Sequence, residues 1–107
     1  MISQYIRTSG AVLSTGADIK VNVGVKPAFV KLFNSANVCE MEWMSSMPAG
    51  RAIRRSGNSN PAYITSSGIS HIDDGTNIGF NIGPDSQMNP SGSNEIFWLI
   101  LAGNNIR

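Results

Sequence analysis

Ile19-Lys20-Val21-Asn22-Val23-Gly24-Val25 is the stretch on which the fold turns. Branched apolar residues fall at every second position, with Lys20, Asn22 and Gly24 between them. A period of two puts Ile19, Val21, Val23 and Val25 on one face of a strand, whereas a helix would scatter them around its surface. Lys26-Pro27 ends the run, because proline brings no N–H to a ladder.

The same pattern continues outward. In residues 28–33, Val30 and Leu32 face one way and Phe29, Lys31 and Phe33 the other. Residues 34–37, Asn-Ser-Ala-Asn, read as a turn, since Asn and Ser bond to local backbone and Asn tolerates a left-handed conformation. Residues 38–44 alternate again, with Cys39, Met41 and Trp43 inward and Glu40 and Glu42 outward, so the two flanks predict a hairpin. Residues 47–60 hold Pro48, Gly50, Gly57 and three arginines and read as a long loop of the kind that is functional or mobile. Short strands are predicted at 62–65, 69–72 and 78–82, with turns at 66–68 and 73–77. Residues 84–94 read as a second long loop. Residues 95–101 are apolar on both faces, which predicts a central strand covered on both sides.

No window carries a sustained apolar stripe at helical spacing. The expectation is one all-β domain, an antiparallel β-sandwich (jelly-roll-like) of about six to eight short strands. Residues 1–8 form a candidate N-terminal contact arm.

Bulk composition narrows the function. The 107 residues suffice for one domain. Charged residues are 14% of the chain, against about 25% in a typical domain, and the net charge is +1. So neutral a surface gives nucleic acid no concentrated basic target. The one basic cluster, Arg51, Arg54 and Arg55, reads as solvated or rim charge, then as a dock for an acidic protein partner, and last as a DNA contact. A single cysteine, Cys39, allows neither an internal disulfide nor a cysteine-based zinc site, which fits a reducing cytoplasm. Residues 1–7 lack the basic and apolar regions of a secretion signal. The longest apolar run, 96–102, is far short of the ~20 residues a membrane helix needs. A soluble protein without a membrane partner is expected.

Candidate chemistry is sparse. His71 lies in Ser70-His71-Ile72-Asp73, but neighbouring strand residues point to opposite faces, so no triad forms there. Cys39 alternates with Met41 and Trp43 and reads as core. Residues 73–77 lack the spacing of a calcium loop and read as a turn. Glu40 and Glu42 share a strand face and invite comparison with a glycosidase carboxylate pair, yet outward Glu on an amphipathic strand is ordinary. Gly79-Phe80-Asn81-Ile82-Gly83 has the wrong spacing for a nucleotide loop. No catalytic residue, cofactor or metal is expected. The excess is instead apolar: Trp43, Trp98, Phe29, Phe33, Phe80, Phe97, Tyr5 and Tyr63 either line one core or exceed it and favour oligomerisation or docking.

A resemblance enters here. Residues 21–34, VNVGVKPAFVKLFN, resemble the "VNVGFKPRYVKVFN" type of segment in small tailed-bacteriophage virion structural proteins. Met41-Glu42-Trp43 resembles their "MEW" continuation, and Ile64-Thr65-Ser66-Ser67-Gly68-Ile69 their "ITSNGI". Gly79-Phe80-Asn81-Ile82-Gly83 with Asp85, then Ser91-Gly92 and Phe97-Trp98, is similar to their closing "GFTIG-D … SGE…YW". The match spans residues 19–102 and departs at Asn89-Pro90 and before residue 19.

The resemblance implies a capsid decoration, or cement, protein that clamps joints of the major capsid protein of the same phage. It also implies residence on the capsid surface of the virion after synthesis in the host cytoplasm; the apolar excess favours a homo-oligomer, dimer or trimer. Tyr5, Arg7, Arg51, Arg54 and Arg55 are the candidate contact residues. The competing expectation is a phage tail or receptor-binding module, using Tyr63 and residues 84–94 on a host surface ligand. A small jelly-roll hydrolase using Glu40 or His71 comes third.

Overall fold

Each alternating stretch gives a strand whose apolar positions turn to one side, although the run expected over 19–25 is a strand only to Asn22, and Gly24 (φ 84°) turns the chain before Lys26-Pro27 is reached. In a computed structural model, which describes residues 5–103, the strands are β1 (Tyr5–Leu13), β2 (Ile19–Asn22), β3 (Phe29–Asn34), β4 (Cys39–Met44), β5 (Arg51–Ser56), β6 (Ala62–Asp73), β7 (Ile78–Ile82) and β8 (Glu95–Gly103). Every pairing is antiparallel, and the strand order is β1-β8-β3-β4-β5-β6-β7-β2. No helix among the described residues is long and apolar enough to cross a membrane.

The all-β antiparallel expectation holds, but the eight strands form one curled sheet and not the two sheets of a sandwich. The corner lies in β6. Ala52 pairs with Ile64 while its neighbour Arg51 pairs with Ile69, so residues 65–68 are extra against β5 and bend the strand. Ser67 takes a left-handed conformation there (φ 62°). A side chain on Gly68 would meet the Arg51 carbonyl oxygen at 2.5 Å, so only glycine lets the two backbones approach this closely. The two short strands expected at 62–65 and 69–72 are therefore one bent strand.

The inner face of the curl holds the core. Val30 lies between Trp43 and Ile100, and Leu32 between Met41 and Trp98, as direct cross-strand neighbours. Ala52, Ile69, Phe80 and Ile82 complete it from β5, β6 and β7. Phe80 meets Trp98 edge to face at 5.6 Å, although β7 and β8 are not neighbours in the sheet. Burying side chains of this size contributes roughly 1.5–3 kcal/mol each.

Residues 84–94 are a long loop, as expected, and this loop closes one end of the curl. Met88 and Asn89 are fully buried. The Asn89 amide donates to the carbonyls of Ala17 (2.7 Å) and Gly83 (3.0 Å) and accepts from the Thr15 N–H (2.9 Å). Asn34 donates from Nδ2 to the Met88 carbonyl at 2.9 Å, while its Oδ1 caps the hairpin turn by accepting from the N–H groups of Ala36 and Asn37.

Two further expectations change. Residues 47–60 contain β5 and are not one long loop. Residues 5–8 of the proposed contact arm belong to β1, whose Tyr5 and Arg7 pair with Gly103 and Leu101; residues 1–4 lie outside the described residues.

Candidate interaction surface

The convex face of the sheet carries what the core leaves over. On β8, Ile96 and Ile100 turn inward, which forces Phe97 and Leu99 outward, where they are 43% and 39% exposed. Their direct neighbours on β3 are Phe33 and Lys31, and on β1 Ala11 and Ser9. Leu101 pairs with Phe29, and Phe29 in turn with Met44, which is 47% exposed. Leu13 at the end of β1 is 57% exposed. Strand β8 is thus central, as expected, but no described element covers its second face.

A polar border runs along one side of this face. Lys31 reaches Glu42 on the facing position of β4 at 3.4 Å, and Arg55 reaches Glu40 across the β4–β5 pair at 3.0 Å. Ile53 and Pro61 line a shallow pocket between Glu40, Glu42 and Arg55. These exposed pairs fix side-chain positions more than they add stability.

The structure separates the three arginines that the sequence places together. Arg51 stacks over the Tyr63 ring at 5.8 Å. Arg54 follows the inward positions, opposite Met41, and pairs with the buried carboxylate of Asp85. Arg55 faces outward to Glu40. Alternation divides a linear basic cluster among three different contacts. Arg7 is exposed, opposite Leu101, at the border of the apolar face.

The groups considered for chemistry have structural partners. His71 Nε2 lies 2.6 Å from the Pro27 carbonyl, so it carries the proton in this contact, and the ring packs edge-on against Trp43 at 4.9 Å. Burial pushes the Cys39 thiol above its ordinary pKa, while Ser56 donates to its sulfur at 3.6 Å. In the turn at 73–77, Asp74 accepts the N–H groups of Thr76 and Asn77 and pairs with Lys20. Among the described residues no group of three His, Cys, Asp or Glu side chains could hold a metal ion.

Sequence reasoning read Asn34 as a turn residue, which holds, but missed that Asn34, Asp85 and Asn89 anchor residues 84–94. The available signal was Asn89-Pro90, which marks a constrained turn and not a free loop. Comparison of the chain with family models, curated proteins and solved structures finds no match.

Proposed function

We propose that this chain is a phage capsid decoration protein that docks its convex apolar face on the outside of the major capsid shell and stabilises subunit joints. The observation that carries the reading is the uncovered face of β8 and β3, with Phe97 and Leu99 about two-fifths exposed beside Phe33 and Phe29. An interior strand with large apolar side chains on its open side marks a surface built to be covered. The Lys31–Glu42 and Arg55–Glu40 pairs supply a polar rim around it. The low charge and the resemblance of residues 19–102 to small tailed-phage virion proteins support the same reading. Binding only the assembled shell stabilises it by mass action, without chemistry.

The experiment is co-sedimentation of the purified chain with shells that lack it. The chain is expected to pellet with shells, saturably. A chain that stays in the supernatant at every concentration overturns the reading.

One observation favours the second reading, a tail or receptor-binding module. Tyr63, Ser66, Ser67, Pro84, Asp85 and Ser86 line an open cleft beside Arg54. Binding to host cells that is lost on Tyr63→Ala, with no binding to shells, would select it.

A further inference from the structure

Among the described residues β1 is an edge of the sheet, and it carries few of the features that blunt an edge. It runs nine residues against β8 without a register break. It has no proline and one charge, Arg7. Long, regular, weakly charged edges template the addition of another strand. The opposite edge is different. β2 has four residues, its Lys20 is held by Asp74 at 3.3 Å, and its Asn22 side chain accepts the Ile78 N–H.

Hydrogen-bond parity identifies which groups β1 presents. Just beyond Leu13, the Ser14 N–H donates to the Asn94 carbonyl at 2.7 Å. Bonded pairs alternate in an antiparallel ladder. Even-numbered residues of β1 therefore bond to β8, and Arg7, Ser9, Ala11 and Leu13 aim their N–H and C=O groups at the open edge. Arg7, Ser9, Ala11 and Leu13 are all exposed, and no described strand pairs there.

We propose that a second copy of this chain occupies the edge, β1 against β1, antiparallel about a twofold axis at Ser9. Full overlap of Tyr5–Leu13 with itself sets Ser9 opposite Ser9 and Arg7 opposite Ala11. In that register odd residues meet odd residues, so the free groups on each edge pair with one another. Like charges stay apart, because each Arg7 faces an alanine. The contact is isologous, as a twofold requires. Ser9 and Ala11 are the cross-strand neighbours of Leu99 and Phe97, so the convex apolar faces of the two copies join across the axis. The inference stands without the shell reading and is tested without shells.

The test is sedimentation of the whole chain over a concentration series, with three variants. Ser9→Pro removes an N–H that points to the open edge, so the β1–β8 ladder keeps its bonds. It is expected to weaken dimerisation roughly tenfold or more through the two bonds lost at the axis. Ser9→Cys places two thiols on residues with Cα atoms about 5.5 Å apart, within disulfide reach, and is expected to give a covalent dimer with oxidised glutathione. Ala11→Cys sets the thiols four residues out of register, about 13 Å apart along the strands, and is expected not to cross-link. A wild-type chain that is monomeric at all concentrations overturns the proposal. So does equal cross-linking at Ser9→Cys and Ala11→Cys, which decides the matter even where Ser9→Pro fails to fold.

Discussion

The guanidinium of Arg54 on β5 and the carboxylate of Asp85 form a part-buried ion pair that ties the middle of the sheet to the segment closing its end. Asp85 also accepts the N–H groups of Gln87 (3.0 Å) and Met88 (2.9 Å). Asp85→Ala is expected to cost about 3 kcal/mol, because it leaves buried donors unmet, and Arg54→Ala about 2 kcal/mol. Urea unfolding of both variants measures this. Losses under half a kcal/mol would show Arg54 to be free for a partner after all.

Asn34 is a second anchor. It is fully buried and makes three hydrogen bonds. Asn34→Asp replaces the donor facing the Met88 carbonyl with an acceptor, and is expected to destabilise by about 3 kcal/mol at neutral pH. Asn34→Ala is expected to fall in the same range. Hydrogen exchange of residues 84–94 should quicken in both.

Val38 sits in the hairpin turn with φ 49° and is 56% exposed. A branched side chain is strained there and gains little from burial. Val38→Asn is expected to stabilise the fold by about 1 kcal/mol. An unchanged or lowered thermal midpoint would count against the strain.

The N–H groups of Asn77 and Thr76, with the Lys20 ammonium, lower the Asp74 carboxyl from 3.8 to about 2. A group depressed on folding stabilises above its unfolded value and loses that contribution as pH falls through its folded value. The stability difference between wild type and Asp74→Ala should therefore be full at pH 5 and shrink from pH 4 to pH 2. Thermal melts across that range test it; a constant difference contradicts it.

The convex face should separate folding from docking. Phe97→Thr and Leu99→Thr keep β propensity and remove only half-exposed apolar surface. Each is expected to change stability by less than about 1 kcal/mol while weakening shell binding roughly tenfold or more. Thermal melts and co-sedimentation read the two effects apart.

Alternation at 19–22, 29–33, 39–44 and 78–82 was legible because each strand buries its side chains on one face only, and a period of two records that directly. β5 was hidden because its inward positions are Ala52 and Arg54, and Arg54 is inward only by virtue of Asp85, a partner 31 residues away. Ser66-Ser67-Gly68 has the chemistry of a reversing turn, yet the chain uses it to round a corner; composition does not distinguish the two. The apolar excess of residues 95–101 was visible, but a sequence does not say whether the cover for a second face comes from the same chain. The basic cluster misled because adjacency along a strand is separation across a sheet.

The neighbour of β1 is β8, so the first and last of the described strands in chain order lie side by side. During synthesis β1 waits for its native neighbour until β8 has followed it from the ribosome, since their pairing closes the longest loop among the described strands. In that interval both of its edges are bare, and neighbouring nascent chains on one message present the same strand to one another. The order of translation thus makes meeting another copy and finding β8 competing events, and the rate at which β8 follows β1 sets which comes first.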